Sequence, residues 1–301
     1  MPILIITILF LTLTKFIYDR IFIRYDKAAR IPPSLAPLAQ KGELHPFLSG
    51  KNLLTGYHYP VQNARGLILL APGFRAGGED YLQLIQKLLA IGWGVFTFDG
   101  TGTRRSQGKN QVGFSQCIKD LEESLKYVEK NNCFGYNRLV LMGHSRGAYA
   151  ACCIQRPNVA AIVSISGINS AMEGIMQLSR KAIGPLCYGN YGLLWLYQVI
   201  LFGKRLLKRQ AAVSLSQKDI PALIIHGTKD RQIPPGRGSI ISHKQQITSS
   251  RVEYLLCDAG HNDLLHSKID TLVSPIHQFL LRATDGGPFT GQIERLPWMQ
   301  S

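Results

Sequence analysis

The chain has 301 residues, of which 46% are hydrophobic and 18% charged, and it carries a formal net charge of +15. This composition excludes a disordered chain, and the length suits one large folded domain. The excess of positive charge favours an anionic partner, but the sequence has no zinc-finger spacing and no aromatic RNA-binding motif, so we expect no binding of nucleic acid.

Residues 1–24 begin with an apolar run that is uncharged from Pro2 to Thr14 and continues beyond Lys15. A membrane-spanning helix needs about 20 apolar residues, so this segment predicts an N-terminal membrane anchor. An interfacial helix and an unusual signal peptide are the alternatives. Because the basic residues follow the run, the anchor would place the rest of the chain in the cytoplasm, next to a membrane surface. Residues 25–49, rich in proline, predict a linker.

From residue 50 onward, short apolar runs alternate with helical patterns. Strands are predicted at 53–60, 66–73, 94–100, 138–143, 159–166, 222–227 and 252–258, and a last helix at 264–282 with a kink or early break at Pro275. Runs that are this short and apolar are typical of a mostly parallel sheet with helices on both faces. The sequence therefore predicts one α/β domain over residues 50–282, followed by a C-terminal tail over 283–301.

Polar residues follow three of the predicted strands. Ser145 lies in "GHSRG", Asp230 in "HGTKD" and His261 in "AGHND". The carboxyl ends of parallel strands meet at one edge of a sheet, so these side chains are expected to lie close together. A serine becomes a nucleophile when a histidine takes its proton, and an aspartate orients that histidine. The pattern predicts a catalytic triad of Ser145, Asp230 and His261.

Backbone N–H groups are expected to complete this site. The glycines of "GHSRG" allow a tight turn that opens a helix, so the N–H of Arg146 is the expected first oxyanion donor. The second is the N–H of Phe74 in "APGFRAGG", in the loop after an earlier strand. We find no role in the sequence for the charged side chain of Arg146.

Other residues compete for these roles. G-x-S-x-G alone also occurs in ordinary strand-to-helix loops. Asp258 and Asp263 are nearer to His261 in sequence than Asp230 is, although triad members meet in space rather than in sequence. We interpret Asp99 and Asp263 as residues that order loops. The remaining histidines considered, at positions 144, 226, 266 and 277, lie inside the elbow, at a strand end or in the last helix.

These motifs, together with "FDGTGTRRSQG" at 98–108, resemble the α/β-hydrolase superfamily, in the branch of bacterial hydrolases related to serine aminopeptidases and monoacylglycerol lipases. The resemblance covers residues 50–282 and implies an α/β-hydrolase fold. It also implies that residues 167–220 form a helical lid. Two positions depart from the family pattern: Pro72 precedes Gly73 where the family often has histidine, and Arg146 follows the serine where it often has methionine.

The expected activity is hydrolysis of carboxylic esters or lipid acyl esters through a covalent acyl-serine intermediate. No cofactor or metal is expected, and the six cysteines form no CxxC pair. Aminopeptidase, amidase or acyltransferase activity on the same triad stays open, as does a non-catalytic membrane-bound binding module. The apolar helix at 191–209 either packs over the domain with its charges in water or contacts anionic lipid.

Overall fold

A nine-stranded sheet forms the centre of the structure, a computed structural model that describes residues 2–131, 135–289 and 293–295, with backbone only for 2–9 and 293–295. The strands are β1 (Glu43–Ser49), β2 (Asn52–Tyr59), β3 (Leu67–Ala71), β4 (Gly94–Phe98), β5 (Leu139–His144), β6 (Val159–Ile165), β7 (Ala222–Gly227), β8 (Val252–Cys257) and β9 (Ile293–Arg295). Their order is β1-β2-β4-β3-β5-β6-β7-β8-β9. Strands β1 and β2 pair antiparallel, and β2 is antiparallel to β4, whereas β3 to β9 run parallel.

Helices cover both faces of this sheet. They are α1 (Pro2–Ile21), α2 (Ala36–Lys41), α3 (Leu82–Ala90), α4 (Gln116–Lys130), α5 (Arg146–Cys153), α6 (Ala171–Ile183), α7 (Tyr191–Phe202), α8 (Lys204–Leu207), α9 (Ala211–Ser216) and α10 (Ile269–Asp285). Successive residues of a strand point to opposite faces. In β3, Leu69 accordingly packs in the layer that contains α4 and α5, and Ile68 packs in the layer that contains α3 and α10. The predicted α/β class with helices on both faces is confirmed.

Three local predictions differ from the structure. Residues 43–49, inside the predicted linker, form β1, because every one of them pairs with a residue of β2. Pro275 lies inside α10 and does not break it. A proline in a helix costs about 3 kcal/mol, and the burial of the helix's apolar face, including Leu272 and Phe279, offsets this cost. Of the predicted tail, residues 293–295 form β9, which pairs with β8, and residues 290–292 and 296–301 lie outside the described residues.

Helix α1 packs onto the domain. The hydroxyl of Tyr18 donates to the carbonyl of Val112 at 2.6 Å and accepts from the Gln198 side chain of α7, also at 2.6 Å. Among the residues that the structure describes, no helix is long and apolar enough to cross a membrane. The membrane anchor predicted for residues 1–24 is therefore wrong, and the cytoplasmic placement inferred from its flanking charges loses its basis. Within the described part of this helix, Tyr18 is buried in the protein core, and Ile17 and Ile21 are partly buried.

Phe22, directly after α1, gives a test of this packing. Its side chain is 1% exposed, and its ring centroid lies 5.4 Å from that of Phe74 and 5.7 Å from that of Phe114. We expect Phe22→Ala to lower the free energy of unfolding by about 3–5 kcal/mol in urea titrations, because it leaves a cavity. Phe16→Ala, on the exposed side of the same helix, is the control, with an expected change within about 0.5 kcal/mol. Equal effects of the two changes would refute the packing of this segment.

Candidate active site

Ser145 lies on a strained turn between β5 and α5. Its backbone has φ 56° and ψ −115°, a conformation that residues other than glycine rarely adopt. The glycines on either side make the turn possible. A Cβ on Gly147 would lie 2.0 Å from the carbonyl oxygen of Ala71, and a Cβ on Gly143 would lie 2.3 Å from the backbone of Gly147. The sequence thus folds here into the sharp strand–turn–helix that a serine nucleophile requires.

Asp230 and His261 meet beside this turn. Nδ1 of His261 lies 2.7 Å from Oδ2 of Asp230, and both residues are buried. The other carboxylate oxygen of Asp230 accepts hydrogen bonds from the N–H groups of Gln232 and Ile233, each at 2.8 Å. Because a carboxylate only accepts, Nδ1 of His261 carries the proton and Nε2 is left as a base.

The other aspartates considered for the triad stabilise loops instead. Asp258 forms an ion pair with Lys229 at 2.9 Å, and Asp263 accepts from the N–H of Gly260 at 2.8 Å. Asp99 is fully buried and accepts from the Tyr57 hydroxyl at 2.8 Å. Within the described part of the chain, Asp230 is the aspartate that contacts the imidazole of His261.

A second histidine, His226, supports the loop that carries Asp230. His226 is the last residue but one of β7 and donates from Nε2 to the carbonyl of Ile233 at 2.9 Å, with the same nitrogen 3.5 Å from Asp230. Burial lowers the pKa of His226, so its imidazole is neutral near pH 7. It therefore supports the loop that carries the carboxylate without adding a charge beside it.

A chain of hydrogen bonds joins the serine turn to the histidine loop. The N–H of Gly73 donates to the Tyr81 hydroxyl at 2.8 Å, and this hydroxyl lies 3.2 Å from Nδ1 of His144. Nε2 of His144 lies 3.3 Å from the carbonyl oxygen of His261, and the two rings are 4.8 Å apart. Burial lowers the pKa of His144 well below its usual range. The neutral ring therefore accepts from Tyr81 and donates to His261.

The charged side chain of Arg146 lies under the loop that carries Phe74. It is 2% exposed, its guanidinium carbon lies 5.6 Å from the Phe74 ring centroid, and Nη2 is 3.5 Å from the carbonyl oxygen of Gly73. Arg146 is also the first residue of α5, where N–H groups have no acceptor within the helix. The side chain of Arg146 thus supports the loop of the second predicted donor, a role that the sequence did not reveal.

Helices α6 to α9 lie between β6 and β7, in the segment predicted to form a lid. A cavity of about 600 Å³ separates α6 from the loop that follows Asp230. Its charged lining residues are one carboxylate and four cations: Glu173, Arg180, Lys181, Arg231 and Arg237. Glu173 is paired with Nε2 of His243 at 2.7 Å. The cavity therefore has a positive potential, which favours neutral or anionic groups.

Comparisons with known proteins agree with this architecture. The family model described as serine aminopeptidase, S33, matches residues 62–184. No curated protein matches the chain significantly. An esterase of Pyrococcus furiosus superposes with a TM-score of 0.66 at 19% identity, covering 87% of this chain and 98% of that one. An α/β-hydrolase from Penicillium gives 0.59 at 14% identity, covering 81% and 98%. A thermophilic esterase from Thermogutta terrifontis gives 0.56 at 15% identity, covering 80% and 99%. These likenesses confirm the predicted α/β-hydrolase fold.

Proposed function

We propose that this chain is a serine hydrolase of the α/β-hydrolase superfamily that cleaves carboxylic esters, lipid acyl esters among them. The observation that carries the proposal is the strained Ser145 on its turn, beside a buried His261 whose imidazole is fixed by Asp230 at 2.7 Å. Backbone strain and a buried acid–base pair are costly, and they are typical of nucleophilic catalysis.

The proposed reaction proceeds in two steps. Oγ of Ser145 attacks the ester carbonyl while Nε2 of His261 takes its proton, and the N–H groups of Phe74 and Arg146 bind the oxyanion. Collapse of the tetrahedral intermediate expels the alcohol, which receives the proton from His261. Water then attacks the acyl-serine with His261 as base, releasing the carboxylic acid and the free Ser145.

The cavity beside α6 borders the loop after Asp230, although neither Ser145 nor His261 lines it, and as a site for part of the substrate it would favour esters over aminopeptidase substrates. An aminopeptidase must bind a protonated amino terminus, which calls for an available carboxylate. The carboxylate of this cavity, Glu173, is engaged by His243, whereas Arg180, Arg231 and Arg237 leave the surroundings positive. A neutral acyl chain or an anionic head group suits this environment better than a cationic one.

A substrate panel tests the proposal. We expect p-nitrophenyl esters of short and long acyl chains to be hydrolysed, and aminoacyl anilides to react much more slowly. Turnover of the anilides alone would contradict the ester assignment and favour the aminopeptidase alternative. Absence of turnover on every substrate, in a folded preparation, would favour the non-catalytic alternative.

Tyr81→Phe tests the hydrogen-bond chain behind the site. The change removes the hydroxyl that joins Gly73 to His144. We expect kcat for a p-nitrophenyl ester to fall about tenfold, because the loop of the oxyanion donor loses its anchor. We also expect the free energy of unfolding to fall by about 1–3 kcal/mol, because a buried N–H loses its acceptor.

Tyr59→Phe is the matched control for Tyr81→Phe. Its ring is 1% exposed, and its buried hydroxyl has no hydrogen-bond partner among the described residues. Removing that hydroxyl is expected to leave kcat unchanged and to leave the stability unchanged or higher. If both variants kept the wild-type kcat, Tyr81 would have no positioning role.

A further inference from the structure

Three potential metal ligands converge on the edge of the sheet far from Ser145. Glu43 and His45 lie on β1, and His58 lies on β2 directly opposite Glu43 in the register. Within the described residues, the donor atoms of these three side chains all lie within 4.8 Å of one another. Oε2 of Glu43 is 2.9 Å from Nδ1 of His58 and 3.7 Å from Nε2 of His45. Ligands of one tetrahedral zinc ion are spaced by about 3.4 Å, between these two values.

The other nitrogen of each imidazole is held by a tyrosine. Nδ1 of His45 lies 3.1 Å from the hydroxyl of Tyr127 on α4, and Nε2 of His58 lies 3.0 Å from the hydroxyl of Tyr136. Histidines that bind metals usually bond their second nitrogen to an oxygen, which fixes the ring and its tautomer. Here both rings are oriented so that their remaining nitrogens face the Glu43 carboxylate.

We propose that Glu43, His45 and His58 form a binding site for a divalent transition-metal ion, Zn²⁺ in preference to Ca²⁺ or Mg²⁺. Two imidazoles and one carboxylate are ligands that Zn²⁺ favours, whereas Ca²⁺ and Mg²⁺ require mostly oxygen. A cavity of about 560 Å³ borders the three side chains and leaves room for a water as fourth ligand. The side chain of Glu43 is 56% exposed, which gives an ion access from solvent.

The position of this site separates it from the proposed hydrolysis. The Tyr136 hydroxyl that contacts His58 also lies against Gly94, the first residue of β4, so the site lies towards the amino ends of the parallel strands. Ser145, Asp230 and His261 follow carboxyl ends, at the opposite edge. The ion would join β1 to β2, the strands at the antiparallel end of the sheet. Because the ion would bind away from Ser145, its test is independent of enzyme activity.

Calorimetric titration of ZnCl₂ into metal-stripped protein tests the site. We expect one Zn²⁺ per chain, and a melting temperature raised by about 5 °C or more once Zn²⁺ exceeds its Kd a hundredfold. Glu43→Gln should weaken Zn²⁺ binding at least about 100-fold, because it removes a charged ligand. This residue is exposed, so the variant is expected to fold. Tyr136→Phe, which removes only the supporting hydroxyl, should weaken binding about tenfold.

Two further variants are controls. His243→Gln removes the histidine of another His–Glu pair, the one with Glu173, which has no second imidazole beside it among the described residues. His261→Gln removes the proposed catalytic histidine. Both should bind Zn²⁺ as the wild type does. The proposal is overturned if the wild type binds no Zn²⁺, if Glu43→Gln keeps its affinity, or if binding is lost in His261→Gln instead.

Discussion

Ser145→Ala is expected to lower kcat for p-nitrophenyl esters by about a million-fold, the loss seen when the nucleophile of a serine triad is removed. His261 and Asp230 would remain but would have no hydroxyl to activate. The free energy of unfolding should change by less than about 1 kcal/mol, because the change deletes one hydroxyl. Steady-state kinetics and urea unfolding of the same preparation measure both effects.

Ser124→Ala is the control for this change. Ser124 is also buried, but its hydroxyl donates to the carbonyl of Leu121 within α4. Its replacement should leave kcat unchanged. Residual activity of Ser145→Ala near the wild-type value would show that another group carries the reaction.

Gly147→Ala is expected to cause the largest loss of stability among the changes considered. The added Cβ would lie 2.0 Å from the carbonyl oxygen of Ala71 and 2.7 Å from that of Pro72, both backbone atoms that cannot move aside cheaply. Either α5 shifts away from β3 or the protein unfolds. We expect the free energy of unfolding to fall by more than about 4 kcal/mol. Single substitutions seldom cost this much unless they cause such a steric conflict. Activity should be lost as well, because the shift displaces Ser145.

Gly192→Ala separates this clash from a general effect of glycine replacement. Gly192 lies in α7, and nothing lies within 4 Å of the position of its Cβ. Alanine there should raise the free energy of unfolding by up to about 1 kcal/mol, because it favours the helix. If Gly147→Ala unfolded at the same urea concentration as Gly192→Ala, the tight packing of the turn would be contradicted.

The sequence predicted those parts of the fold and candidate site whose signals are local. Strands β3 to β8 are short apolar runs, and Ser145, Asp230 and His261 each lie within four residues of the end of such a run. The order of elements along the chain then limits the topology. The catalytic roles of these three residues, and of the N–H groups of Phe74 and Arg146, stay predictions for the experiments above.

The sequence could not predict contacts between segments far apart in the chain. In the sequence, Tyr81 is one of several apolar residues around the start of a predicted helix. Its hydroxyl meets His144 only in the folded chain, so this contact could not be predicted. Glu43 and His58 likewise meet only through the pairing of β1 with β2. The wrong prediction of a membrane anchor has the same origin. An apolar run does not show what its side chains contact: here Tyr18 of α1 contacts α7, and Phe22, directly after the helix, contacts Phe74.

The central claim is that Ser145 is the nucleophile, and covalent trapping tests it most directly. The wild-type protein would be treated with a fluorophosphonate, digested and analysed by mass spectrometry, beside Ser145→Ala. We expect one adduct per chain, on the peptide that contains Ser145, and none in Ser145→Ala. No adduct on the wild type, or equal labelling of both proteins, would contradict it.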